Sequence, residues 1–274
     1  MTLKSHKINK VLVLGSGTST GIPVLGCDCS TCVSPAPKDL RTRTSILIQS
    51  YDGKHILVDT GPDLRTQLLR EKITFIDSVI LTHDHADHIH GIDDLRPFTF
   101  QKDHYIKCIT HPDLVVPIRM KFSYIFDRAS PSFAGKKVIG GGIPRLILEA
   151  ASFIKTSIIE KLEFKFYSLP HGYGQTLGFR QDSFAYIIDC HEIPENVIRD
   201  LKEAKLDLLI IDAVNKTPHK THLYYGQALS YASEIGAKNT RLIHMSHHLP
   251  HHELEKGAVP GAFDGEVLEY SLRT

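Results

Sequence analysis

The segment LTHDHADHIHG, residues 81–91, carries four histidines and two aspartates directly behind the apolar run SVIL. Histidine is a poor solubilising residue, so a need for charge in water does not explain this density. Neutral imidazole and carboxylate together are ligands for zinc, iron and manganese. If a strand ends near Thr82, His83 and His85 are two apart on extended backbone and point the same way. A helix beginning just beyond would swing Asp87 and His88 to a neighbouring face. One short loop then offers two imidazoles to one cation, and a carboxylate with an imidazole to a second. The alternative is a polar loop whose histidines meet solvent or cap a helix. That suits a lone histidine better than four donors at this spacing.

Two cations need further donors, and three candidates each close an apolar run. His171 follows FKFYSLP, Asp189 ends FAYIID and His244 lies within TRLIHM. Strand ends are where a sheet scaffold holds side chains rigidly. Taken singly, Asp189 could cap a helix and His244 could be a hydrogen-bonded core residue. A separate cluster, Cys27, Cys29 and Cys32 in GCDCSTC, accounts for three of the five cysteines. In a cytosolic chain such a cluster points to a metal rather than a disulfide framework, and it is one donor short of a closed tetrahedral zinc site. Cys108 and Cys190 sit in apolar surroundings and read as packed thiols.

Short runs rich in β-branched residues must position these groups. They recur at 10–15, 44–50, 55–61, 77–83 and 105–110, then at 162–169, 184–189, 206–213, 240–245 and 266–271. Helical patterns fall between them at 62–71, 90–97, 112–123, 194–204 and 222–235. PDLRTQLLREK and PENVIRDLKEA both open with a proline suited to a first helical turn. Region 129–160, with GKKVIGGGIP, reads as loops or a lid, and HHELEKG (251–257) reads as an exposed helix. Two successive strand sets, each interleaved with helices, predict two facing mixed sheets with helices outside. That is an α/β fold in a four-layer αββα sandwich. No composition shift marks a linker, so residues 1–274 are expected to form one domain.

Composition is that of a globular protein with a sizeable core: 42% hydrophobic and 23% charged residues in 274. A formal net charge of +1 gives no general attraction to nucleic acid or anionic lipid. The N-terminal stretch has no apolar run of signal-peptide or membrane-span length, so the cytoplasm is the expected compartment. GSGTSTG (15–21) is not a dinucleotide fingerprint; its glycines would let the backbone turn tightly near the metals.

LGSGTSTGIP (14–23), LVDTGPD (57–63), LTHDHADHIHGIDDLR (81–96), PHG (170–172), IID (187–189) and IHMSHH (243–248) occur in this order. Through them the chain resembles the metallo-β-lactamase fold superfamily. Within its phosphodiesterase branch, the chain is most similar to PhnP-like phosphoribosyl cyclic phosphate phosphodiesterases. The resemblance runs through FDGEVLEY near the C-terminus, with residues 104–160 carrying little of it.

It implies that His83, His85 and His171 hold one divalent metal and that Asp87, His88 and His244 hold the second. Asp189 would bridge them, and the metals would be zinc or manganese, or iron. Asp59, also a plausible turn residue before Gly61, would orient a ligand histidine. His247, three residues past His244, would complete a structural zinc with Cys27, Cys29 and Cys32. His222 in KTHLYYGQAL would face the phosphate, protonating the leaving alkoxide or stabilising phosphoryl charge, with His219 as a rival and a solvent-facing ring as the structural alternative. Asp87, Asp189 and His222 are thus the expected catalytic set. Arg41 and Arg43 in RTRTS could reach a substrate phosphate, or serve the surface.

The implied activity is hydrolysis of a small, cyclic or nucleotide-like phosphodiester by a hydroxide generated between two metals. The small diester is the expected partner and no membrane is; nucleic acid is disfavoured without being excluded, and the oligomeric state is open, a homodimer being common among the proteins the chain resembles. Competing readings are a tRNA 3′-processing ribonuclease, a relative of the pyrroloquinoline quinone biosynthesis protein, and a non-catalytic metal-binding protein. The absence of an evident tRNA-gripping insertion and the complete ligand set weigh against them.

Overall fold

In the computed structural model, residues 7–101, 105–127 and 142–273 are described. Among the described residues, thirteen strands form two sheets. The first contains β1 (Ile8–Gly15), β2 (Ser45–Gln49), β3 (His55–Val58), β4 (Ser78–Leu81), β5 (Ile106–Thr110), β6 (Leu146–Ala150) and, from the far end of the chain, β13 (Val267–Ser271). Its order is β13-β1-β2-β3-β4-β5-β6. The second contains β7 (Ser157–Ile159), β8 (Leu162–His171), β9 (Gly174–Gln181), β10 (Phe184–Ile187), β11 (Leu208–Asp212) and β12 (Asn239–Ile243), in the order β12-β11-β10-β9-β8-β7.

Alternation along the strands builds the layers. In β1, Val11 and Val13 enter the core between the sheets, where they meet Ile46 and Ile48 of β2, and Phe164, Phe179 and Tyr186 from the opposing sheet. The residues between them, Leu12 and Leu14, face the other way and pack with Leu64 and Leu68 of helix α1 (Leu64–Arg70). The second sheet likewise turns Ile187, Leu209 and Ile211 outward, onto Val197, Ile198 and Leu201 of one helix (Glu195–Glu203) and Ala228 of another (Tyr225–Ile235). Strands buried on both faces read as continuous apolar runs, as these do. The four-layer αββα sandwich is therefore observed.

The departures are local. LILEA and SII, inside the region expected to be loops or a lid, form β6 and β7; residues 129–141 of that region lie outside the described ones. GQTLGFRQ forms β9, which a low β-branched content had concealed. The pattern at 90–97 starts earlier, as a helix at Ala86–Ile89, followed by a 3-10 turn at Ile92–Leu95 and a helix at Arg96–Gln101. The helix at His251–Leu254 is present, but His251 is buried. No helix among the described residues is long and apolar enough to cross a membrane.

Pairing is parallel for β3–β4 and for β10–β11–β12. Parallel strands end on the same edge of a sheet, and ligands of open α/β sheets gather outside their carboxyl ends. Bonds from one sheet to the other close this edge: Leu177 N–H donates to the Thr82 carbonyl (2.9 Å) and Thr18 N–H to the Met245 carbonyl (3.1 Å).

Candidate metal centre

The side chains singled out from the sequence meet at that edge. Asp59 directly follows β3, His83 comes two residues after β4, and His171 ends β8. Asp189 comes two residues after β10, and His244 directly follows β12. Asp59, Asp189 and His244 all adopt left-handed backbone, with φ of 66°, 49° and 58°. Such strain in non-glycine residues persists only where the surroundings hold it, and here it turns each side chain off its strand into the common space. The LTHDHADHIHG loop is pressed close by two glycines. A Cβ at Gly61 would stand 2.2 Å from the Asp87 carbonyl oxygen, and one at Gly91 would stand 2.1 Å from that of Gly61.

Two donor groups result. The ring nitrogens of His83, His85 and His171 lie within 4.8 Å of one another, and so do donor atoms of Asp87, His88 and His244. Asp189 joins them. Its Oδ2 is 3.2 Å from His83 Nε2 and 3.1 Å from His88 Nε2, and its Oδ1 is 3.5 Å from His244 Nε2. His83, His88 and Asp189 are almost wholly buried, yet His83 Nε2, His88 Nε2, His244 Nε2 and Asp189 Oδ1 have no hydrogen-bond partner among the described residues. Orphaned buried polar atoms are costly. Divalent cations between these donors would satisfy all four, so the residues fit two metals.

The remaining ring atoms explain why those nitrogens point inward. His88 Nδ1–H donates to Asp59 Oδ2 (2.7 Å). His83 Nδ1–H meets Thr82 Oγ1 (3.0 Å), which itself donates to the same Asp59 oxygen (2.8 Å). His171 Nδ1–H donates to the Thr221 carbonyl (3.0 Å). Each bond fixes the tautomer that leaves the Nε2 lone pair free. Asp59 thus holds two imidazoles, one of them through Thr82. Asp59→Asn is expected to lower metal affinity and activity by about 10- to 100-fold with the fold retained. Metal titration followed by assay checks this, and unchanged affinity would refute it.

Charge is tuned to the same end. Burial would lower the pKa of His88, but Asp189 and Asp59 on either side raise it well above the usual imidazole value. The two carboxylates thus favour positive charge at this position, which a bound dication would supply to the neutral ring. Burial, followed by the neighbouring His88, holds His83 well below its usual value, which suits a neutral ligand. Burial also brings His171 down to about 4. Burial would raise the Asp189 carboxyl, yet His244, His88 and His222 keep it well below the ordinary range.

His222 lies beside this cluster, its ring stacked on His244 with centroids 4.9 Å apart. Its Nδ1–H donates to Asp212 Oδ2 (3.1 Å), and Asp212 Oδ1 is 3.7 Å from His244 Nδ1. Desolvation opposes the imidazolium, but Asp212 and Asp189 push the pKa up to about 9. His219, by contrast, is exposed, and its Nδ1 accepts from Thr221 N–H (3.3 Å). Asp212, wholly buried at the end of LDLLIID, escaped the reading of the sequence. It carries the same signal as Asp189, an aspartate closing an apolar run.

The structure brings the three clustered cysteines together with His247. Cys27, Cys29 and Cys32 Sγ each lie 3.4 Å from His247 Nδ1. One ring nitrogen hydrogen-bonds to one sulfur, not three. Zn–S and Zn–N bonds at tetrahedral angles would separate sulfur and nitrogen by about 3.5 Å, so the four atoms fit a zinc ion. Cys108 and Cys190 are buried thiols with pKa values raised by burial.

Arg41 is a correction. Arg41 is 1% exposed and cannot reach a ligand. It donates to the carbonyls of Leu249 (2.8 Å) and Ser246 (3.4 Å) and lies 3.7 Å from Asp39. Arg43 is held by Asp63 Oδ1 (3.0 Å) and the Ser19 carbonyl (3.0 Å). Arg41→Met should cost about 3 kcal/mol of stability, as when one partner of a buried pair is removed, and leave KM unchanged. Thermal melts beside steady-state kinetics test it.

Comparison with known proteins agrees with this geometry. Residues 54–245 match the beta-lactamase superfamily domain. The crystal structure of a new diphosphatase from the PhnP family superposes with a TM-score of 0.86 at 35% identity, covering 97% of this chain and 98% of that one. Zn(2+)-bound PqqB from Methylobacterium extorquens shares the fold, with a TM-score of 0.74 at 17% identity, covering 94% of this chain and 99% of that one. An octanoyltransferase of Porphyromonas gingivalis is 34% identical over 244 residues, 89% of this chain. The chain spans only 47% of that relative's length. The chain belongs to the metallo-β-lactamase superfamily and, within it, to the PhnP family.

Proposed function

We propose that this protein is a metal-dependent phosphodiesterase acting on small, cyclic or nucleotide-like phosphodiesters. The observation that carries the reading is Asp189, one buried carboxylate reaching His83, His88 and His244 in two donor groups, with the Asp212–His222 pair alongside. Divalent cations bound there supply Lewis acidity, lowering the pKa of water and offsetting charge on the phosphoryl oxygens. His83, His85 and His171 would hold one, Asp87, His88 and His244 the other, and Asp189 both. Asp59 orients His83 and His88. Asp212 holds His222 through Nδ1, leaving Nε2 to protonate the departing alkoxide. The diphosphatase of the same family supports hydrolysis at phosphorus.

Zinc- or manganese-reconstituted protein assayed against cyclic and linear phosphodiesters, a diphosphate and an octanoyl thioester tests the reading. Turnover of phosphodiesters above the others supports it. Turnover of only the thioester would overturn it.

The same reading assigns a structural zinc to Cys27, Cys29, Cys32 and His247, stapling the loop after β1 to the turn beyond β12. Cys29→Ser should remove one equivalent of bound zinc and lower the melting temperature, while the catalytic donors keep their metals. Elemental analysis of the purified variant decides this; an unchanged zinc content would remove the site.

A further inference from the structure

Tyr173 stands at the tip of the β8–β9 hairpin, two residues beyond His171. Pairing continues up to His171 opposite Gly174, so Gly172 and Tyr173 form a two-residue turn rather than a loose loop. Gly172 is left-handed, with φ of 57°, and a Cβ there would lie 3.2 Å from the Thr221 methyl. That close approach, with the His171 bond to the Thr221 carbonyl, fixes the tip against the loop bearing His222. The Tyr173 ring itself is fully exposed, and among the described residues it makes no hydrogen bond or ring contact.

A single exposed aromatic is ordinary. This one is held on a rigid turn at the rim of the donor cluster, and its neighbours narrow what could cover it. On the adjoining loop His219 is exposed, as is Lys220, which makes no ion pair among the described residues. The Lys220 ammonium at this rim disfavours a cationic ligand on the ring and suits an anion that carries a flat aromatic group. A sugar phosphate would gain little from a π-face. A nucleobase stacks on one whatever its identity.

Resting on the phosphodiesterase reading, we propose that Tyr173 is the base-stacking platform of this site and that its substrates are small nucleoside phosphodiesters. The base lies on the tyrosine while the phosphate reaches the donor cluster. One ring serves one base.

Binding separates this assignment from the reaction. Zinc-loaded protein titrated calorimetrically should bind adenosine 5′-monophosphate roughly tenfold more tightly than ribose 5-phosphate, the scale of one stacked base. Tyr173→Ala should erase the preference and Tyr173→Phe should keep it. The ring is solvent-exposed, so neither substitution threatens the fold. With adenosine 2′,3′-cyclic phosphate as substrate, Tyr173→Ala should raise KM by a similar factor with kcat unchanged, and should leave glycerol 1,2-cyclic phosphate unaffected. Equal binding of the two monophosphates by the unsubstituted protein, or a preference that survives Tyr173→Ala, overturns the assignment. A Tyr173-dependent preference without turnover of either diester supports the platform and refutes the phosphodiesterase reading instead.

Discussion

Asp189→Ala is expected to abolish phosphodiester turnover, by at least about a thousandfold in kcat, on the scale of losing preorganised electrostatic stabilisation at a reacting centre. The reason is the reach of one side chain. Asp189 is within 3.5 Å of ring nitrogens from both donor groups, and it is buried with the histidines it contacts. Without it, five imidazoles and Asp87 remain to attract two dications, and the negative charge shared between the two positions is gone. Metal content should fall along with activity. Asp189→Asn separates shape from charge: it preserves volume but not the anion, so it should lose metal nearly as completely. Circular dichroism should show a folded chain in both cases, because the core between the sheets does not depend on this residue. Full activity in Asp189→Ala, with metals still bound, would dissolve the proposed centre.

The second large effect is at His222. Replacing it with alanine should lower kcat by about 10²- to 10⁴-fold, the range of a lost general acid, while metal content stays intact because His222 is not among the proposed ligands. The leaving group provides the discriminating measurement. A p-nitrophenolate departs without a proton, whereas a ribose alkoxide does not. His222→Ala should therefore impair an alkyl diester far more than a p-nitrophenyl diester. Asp212→Asn should show the same selectivity more mildly, since it leaves the ring in place but frees its orientation, and the double substitution should be little worse than His222→Ala. Equal losses on both leaving groups would reassign His222 from proton donor to charge stabiliser. Equal activity on both would remove it from the reaction.

Much of this centre was legible in the residues. The donor types and the HxHxDH spacing survive any reasonable folding of the segment, because neighbours in sequence remain neighbours in space. The αββα layering was legible for a similar reason: apolar runs of strand length, separated by helical patterns, have few ways to hide their surfaces. Reading failed where the local signal was weak. β9 lies in GQTLGFRQ, which has too few β-branched residues to announce a strand, and pairing with β8 supplies what propensity does not. Arg41 and His251 carry polar side chains that composition assigns to the surface, yet carbonyls from Ser246 and Leu249 hold the first and the fold encloses the second.

The sequence by itself determined which chemistry was available: imidazoles, carboxylates and thiolates at strand ends, in numbers suited to metals. Only the tertiary structure decided how they combine. That Asp59 serves two histidines, that Asp212 pairs with His222 rather than standing idle, and that one nitrogen of His247 meets three sulfurs all depend on contacts between distant segments. Parallel strands bring those segments to one edge, and no pattern within a single segment encodes the distance between two of them.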